Sequence, residues 1–409
     1  MPAFVELGPK KKLRTGHSVW SAVPHIHPRT RPLRHDLRCD IAIIGAGISG
    51  AFMAHALSRV SDDVVILDRR EPGMGSTHAS TAMLQFEIDT PLVELAQQRG
   101  FGQARRAWLK SWRATQDMIR LIRREKIACG LSKRAALYLA GNEMGGRGLQ
   151  KEARARNRIG LDCEFLSGRE LRARHGIDRT GAIYSPGAAV ADPVALNRGL
   201  LRIALRRGAR LFSPVDVKQV MATGHGVVID AGTHFIEARR LVFCMGYETV
   251  GGLPSHGMKI TSSWAAATAP GAAYPDWLDR TLIWEASKPY LYLRTSPDGR
   301  LIVGGEDADL DSPSYRADTL SLKARRLKQK VKKLFPELDL EWSHVWAGAF
   351  GESSDGLPVI GPVPDMPHCY AALGFGGNGT IYSLIAAQMM PAFLRGRAPA
   401  DANQFAFRD

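Results

Sequence analysis

The segment Asp40–Asp68 constrains the fold more than any other part of the chain. It reads DIAIIGAGISGAFMAHALSRVSDDVVILD. An apolar run, Ile41 to Ile44, meets Gly45-Ala46-Gly47-Ile48-Ser49-Gly50. About three helical turns follow, then a second apolar run, Val64 to Leu67, and Asp68. A strand, a glycine turn, a helix and a second strand ending in an acid form the unit that binds the ADP half of a dinucleotide. Gly45 permits the tight turn, Gly47 lets the backbone approach a pyrophosphate, and Gly50 lets helix and strand pack closely. Ile48 and Ser49 open the helix, whose N–H groups and positive dipole end face the phosphates. Asp68 is placed to accept from ribose hydroxyls, with Arg69 beside it.

Three further pieces extend this site. Gly75-Ser76-Thr77-His78-Ala79-Ser80-Thr81 is small and polar, and such a loop can pass close to a flavin and its ribityl chain. Arg240-Leu-Val-Phe-Cys-Met-Gly246 reads as a buried strand ending in glycine. Gly374-Phe-Gly376-Gly377-Asn378-Gly379-Thr380 stands between an apolar run and a long apolar helix-like stretch. Strand, glycine loop and helix start again make an anion-receiving geometry.

These pieces, in this order, resemble the D-amino-acid oxidase-like superfamily of FAD-dependent oxidoreductases. The resemblance runs from about Leu37 to the end. It is carried also by Val190-Ala-Asp192-Pro193, Pro289-Tyr-Leu-Tyr-Leu-Arg294, Asp298-Gly299-Arg300, Trp346-Ala-Gly348 and Asp355-Gly-Leu-Pro358. His17-Ser-Val-Trp20 ahead of the dinucleotide unit makes it most similar to the gamma-glutamylputrescine oxidase branch. The resemblance implies an α/β (α+β overall) fold: a Rossmann-type FAD-binding domain, discontinuous in sequence, and a mostly antiparallel β-sheet substrate domain. The expected division is an extended lead over 1–37, an FAD-binding domain from 38–125, 190–255 and 341–409, and a substrate domain from 126–189 and 256–340. Residues 313–335 read as one basic amphipathic helix.

The resemblance implies oxidation of a C–N bond in an amine or amino acid to an imine, followed by hydrolysis. Oxygen is the expected acceptor, with a quinone or carrier protein as the alternative. A tRNA-modification oxidase component and a non-catalytic flavoprotein are further alternatives. FAD is expected to be noncovalent: tethering relatives carry Gly-Ser-Thr-Trp-His, whereas His78 stands one position early. Tyr290, Tyr292 and Arg294 alternate along one strand and so share a face. Arg294 is the candidate anchor for a substrate carboxylate, against an ordinary sheet-edge arginine paired to Glu306 or Asp307. Lys259 is the candidate cation for oxygen activation, against a solvated strand start. Relatives acting on amino acids often carry an arginine after Trp-Ala-Gly-x; here Phe350 stands in its place, which leaves room for a longer or less anionic amine.

Composition narrows the alternatives. Hydrophobic residues make up 45% and charged residues 23% of the 409, as in an ordinary globular protein. No stretch reaches the roughly 18 apolar residues of a membrane span, and the N-terminus lacks the apolar core of a signal peptide. The five cysteines are scattered without a CxxC pair, so neither disulfides nor a metal site is expected and a cytoplasmic setting is. The net charge of +15 is high. On 99–134, basic residues alternate with Trp108, Trp112, Met118, Ile119 and Ile122 at helical spacing. That pattern is an amphipathic helix with a solvated basic face, and no module for reading nucleic acid accompanies it.

Overall fold

The structure is a computed structural model, and residues 3–248 and 258–407 are described. Two sheets share the chain. In the first, Leu37–Ile44 lies between Phe235–Phe243 and Val64–Leu67, with Arg210–Phe212 beyond, all parallel. Cys369–Leu373 joins alongside the end of Phe235–Phe243, again parallel, and Val359–Pro362 pairs with it antiparallel. Ile41, Ile43, Val64 and Ile66 are buried, as strands covered on both faces require. The helix Ile48–Leu57 is apolar all round because it is covered all round. It packs against the sheet and against the helices Pro193–Arg206 and Gly379–Phe393.

Among the described residues the second sheet has ten strands. Its central row runs Trp342–Glu352, Lys259–Thr268, Leu301–Ala308, Leu291–Thr295, Thr281–Glu285, Ser132–Leu139 and Gly181–Val190. Every pairing in this row is antiparallel except that of Thr281–Glu285 with Ser132–Leu139. Fold class and sheet character follow the sequence reading. Two boundaries do not. Trp342–Glu352 pairs with Lys259–Thr268 over its whole length, so this strand of the 341–409 segment belongs to the second sheet. Met83–Leu84, from the 38–125 segment, pairs with Gly181–Val190 there too. The boundary at 255–256 lies outside the described residues.

The lead is structured and spans both sheets. Ala3–Glu6 pairs with Gln219–Ala222 in the first, and Arg14–Gly16 with Trp342–Glu352 in the second. Val19 and Trp20 are buried. The expected single helix over 313–335 is two helices, Pro313–Asp318 and Leu320–Leu334, divided at Thr319, whose N–H still donates to the Tyr315 carbonyl and whose carbonyl accepts from Lys323 N–H. Phe101–Arg124 is the expected amphipathic helix, with Trp108 inside; Trp112 lies on the exposed side, at 37% exposure. Among the described residues no helix is long and apolar enough to cross a membrane, and no group of His, Cys, Asp or Glu could hold a metal ion.

Candidate active site

One continuous cleft runs between the two sheets. It begins at the glycine turn, passes the Gly75–Thr81 loop, and ends in a chamber walled by Trp284, Tyr290, Tyr292, Phe350 and the Gly376–Thr380 turn.

The glycine turn is built as its spacing requires. Gly45 has φ +107°, and a Cβ there would lie 2.3 Å from the Cys244 carbonyl oxygen. A Cβ on Gly50 would lie 1.8 Å from the Gly45 carbonyl oxygen, so only glycine lets this helix start so close to its strand. Gly47 differs: its Cβ would meet only Thr77 Oγ1, at 3.3 Å, and the residue faces the cleft. Its lack of a side chain keeps room for a ligand. Ile48 N–H donates to Thr77 Oγ1 at 2.9 Å, and Ser49 Oγ lies 2.8 Å from Ser383 Oγ, tying this helix to the C-terminal one. Gly50 is a packing residue and does not line the cleft.

Asp68 lies deep at this end. Its Oδ2 accepts from Ala46 N–H at 2.6 Å and its Oδ1 from Arg70 N–H at 2.7 Å. Burial outweighs these bonds and raises its pKa to about 6. Arg70 forks onto Glu248, with N–O distances of 2.9 and 2.7 Å, and also donates to the Lys11 carbonyl. Arg69 pairs with Asp216 at 2.8 Å and donates to the Gly8 carbonyl. The lead therefore closes this end: Leu7 and Leu13 line the cleft, held by arginines that follow Asp68.

Three side chains pin three successive carbonyls of the next loop. Trp346 Nε1 donates to Ala79 O at 2.8 Å, Trp20 Nε1 to Ser80 O at 2.7 Å, and Arg294 Nε to Thr81 O at 2.8 Å. Ser76, Thr77, Ser80 and Thr81 thus face the cleft from a fixed backbone. His78 does not line it. Its Nδ1 lies 2.7 Å from Arg14 Nη1, and burial, then the Arg14 charge, lowers its pKa to about 4. A neutral ring accepting from Arg14 ties the loop to the lead.

The chamber wall is one row across the second sheet. Trp284 stands opposite Tyr292, Tyr292 opposite Gly304, Gly304 opposite Ala265, and Ala265 opposite Trp346. Neighbours in register share a face. The Tyr292 ring occupies the space over Gly304, where a Cβ would come within 2.3 Å of it. Tyr138 stacks behind Trp284 with ring centroids 3.7 Å apart. Burial raises the Tyr292 hydroxyl to about 12, and Thr81 and Ser263 hydrogen-bond it.

Two expectations of chemistry are corrected here. Arg294 shares the face of Tyr292, but two residues further along the strand the row is roofed over. Its guanidinium is 1% exposed, lies over the Trp20 ring, and donates to the carbonyls of Thr81, Thr295 and Ala191. It holds the loop and does not reach the cleft. Lys259 pairs with Asp309 at 2.5 Å on the surface, at 52% exposure, and is not among the cleft-lining residues. The Glu306 partner weighed for Arg294 instead binds Lys323 and Lys330.

At the far side, Gly246, Gly376, Gly377, Gly379 and Thr380 line the cleft, while Asn378 is buried and donates to the Glu87 carbonyl at 2.8 Å. Gly377 N–H, expected to face a ligand, donates to Asp89 Oδ2 at 2.7 Å. A Cβ on Gly377 would lie 2.6 Å from Asp89 Oδ1. Sequence reasoning passed over Asp89, which is 288 residues from its partner. The charged residues lining the cleft, among those described, are Asp68, Arg69, Arg70 and Glu248 at one end and Asp89 at the other.

The chain is similar to a probable oxidoreductase OrdL of Rhizobium meliloti, at 26% identity over 84% of this chain and 80% of that protein. It is 24% identical to a gamma-glutamylputrescine oxidoreductase of Escherichia coli, over 91% of this chain and 86% of that one. The crystal structure of glycine oxidase from Geobacillus kaustophilus superposes with a TM-score of 0.75 at 21% identity, covering 91% and 99% of the two chains. The sequence profile described as FAD dependent oxidoreductase (DAO) matches residues 40–391, and with that span of the chain accounted for, this protein belongs to the DAO family of FAD-dependent oxidoreductases.

Proposed function

We propose that this chain oxidises the C–N bond of an amine whose reacting carbon carries no carboxylate. The carbon loses a hydride and the nitrogen a proton; the imine then adds water and separates into a carbonyl compound and the released amine. FAD supplies the two-electron acceptor for that chemistry. The open face of Gly47, the helix start at Ile48 and the carboxylate of Asp68 fit its ADP half, and the pinned Ser76–Thr81 loop fits the stretch beyond. The observation that carries the substrate reading is the chamber wall. Its described lining residues include no arginine or lysine, and Phe350 faces the cleft. A substrate carboxylate would be desolvated there without the bidentate partner that such a group needs. The aromatic row positions an apolar substrate body and excludes water from the reacting carbon.

Anaerobic mixing of FAD-loaded protein with paired substrates tests this. Simple amines should bleach the flavin faster than the α-amino acids that differ from them by one carboxylate. Faster bleaching by the amino acids would overturn the reading. Peroxide formed in proportion to amine consumed would identify oxygen as the acceptor; its absence would point to a quinone or carrier.

A further inference from the structure

We propose that Asp89 is the anchor for the substrate's ammonium group, so that the chamber is a cation site with aromatic walls and one carboxylate. This rests on the amine reading above and names the group that recognises the amine.

Four observations converge on Asp89. It lines the chamber together with Trp284, Tyr290, Tyr292 and Phe350. No described residue forms a salt bridge with it, and its hydrogen bond is to Gly377 N–H. That bond uses Oδ2 and leaves Oδ1 facing the cleft; the glycines at 376 and 377 keep the space beside both oxygens clear, since a Cβ at either would come within 3.0 Å of the carboxylate. The side chain is open to water in the cleft, yet the surrounding protein is dense enough that burial raises its pKa, the Gly377 bond opposing. Partly enclosed by the cleft, such a carboxylate carries some desolvation cost, which a cation brought by a ligand would offset. The start of the helix Gly379–Phe393 offsets part of that cost through its dipole. A cationic ligand would complete the pairing, and the electron-rich faces of the tryptophan and tyrosines favour it further.

A helix-capping role would explain the Gly377 bond alone. It would not explain a charged group where a neutral acceptor would serve, and the two roles separate in experiment. Asp89→Asn keeps an acceptor for Gly377 N–H and removes the charge. The probe is tetramethylammonium, which has the cation and cannot be oxidised to an imine; its neutral counterpart is 2,2-dimethylpropanol, similar in shape. Calorimetric titration of FAD-loaded wild-type protein should show tetramethylammonium binding at least about 10-fold more tightly than the alcohol. Asp89→Asn should weaken the cation by roughly 10- to 100-fold, leaving the alcohol, FAD content and Tm unchanged. Equal affinities for the two probes in wild type, or undiminished cation binding in Asp89→Asn, would overturn the proposal. Should Asp89→Asn fail to retain FAD, the wild-type comparison of the two probes still decides. The two readings fail separately. Asp89-dependent cation binding without bleaching by any amine would remove the oxidation reading and keep the anchor; bleaching of equal rate and KM in wild type and Asp89→Asn would keep the oxidation reading and remove the anchor.

Discussion

At one end of the cleft Asp68, Arg69, Arg70 and Glu248 interlock through ion pairs and backbone bonds, and the lead is strapped over them. At the other end the walls are aromatic and the charged side chain, among the described residues, is Asp89. The first end satisfies its polar groups internally and leaves shaped backbone open to the cleft. The second leaves a charge unsatisfied and surrounds it with polarisable surface. Paired charges and glycine build the first end; a carboxylate bonded to one glycine N–H, in a cleft with aromatic walls, marks the second.

The largest effects should come from the glycines of the first end, and they should divide. Gly50→Ala drives a Cβ into the Gly45 carbonyl oxygen, 1.8 Å away, and should cost several kcal/mol and most of the folded yield. At Gly47 the Cβ of a valine meets only a hydroxyl, at 3.3 Å; the Gly47→Val variant should fold with a near-normal Tm and emerge without FAD. Calorimetry with flavin content by absorbance separates the two, and a yellow Gly47→Val protein would break the assignment of that surface to the pyrophosphate.

The strap is next. Arg70→Met leaves Glu248 buried without its fork and the Lys11 carbonyl without its donor. A loss of about 3–5 kcal/mol is expected, with weaker FAD binding because the lead loses its hold. Thermal unfolding with and without added FAD measures both.

Arg294→Lys tests whether that arginine belongs to the chamber or to its frame. One ammonium cannot serve three carbonyls spread over Thr81, Thr295 and Ala191. The expected cost is about 2–4 kcal/mol of stability with the amine KM unchanged. A raised KM at constant Tm would return Arg294 to the substrate.

The smallest effect is assigned to Lys259→Met. An exposed pair with Asp309 contributes about 0–1 kcal/mol, and a surface charge lends nothing to a reaction in the cleft. Stopped-flow reoxidation by oxygen should match wild type; a marked slowing would show that the lysine acts within the cleft.

The glycine turn, the acid after the second strand and the alternation of Tyr290, Tyr292 and Arg294 were legible because each depends on residues a few positions apart, where chain geometry leaves little choice. Strand periodicity put Arg294 on the right face. It could not show that Trp20, 274 residues earlier, and the Thr81 carbonyl roof that part of the face. Lys259 likewise had a strand start in sequence and a partner, Asp309, supplied by the neighbouring strand's end.

The sequence by itself determined the strand, glycine turn and helix over 41–57 and the acid at Asp68 that closes them, since local backbone freedom and one acid at fixed spacing suffice for that. Tertiary structure alone decided what stands at the opposite end. Phe86-Glu-Ile-Asp89 carries no motif, and Gly376-Gly377 carries only a turn signal. Their meeting, with a carboxylate on a glycine N–H and aromatic rings from another sheet around it, depends on contacts across 288 residues. Such contacts arise from packing the two sheets together, and no local rule of chain geometry encodes them.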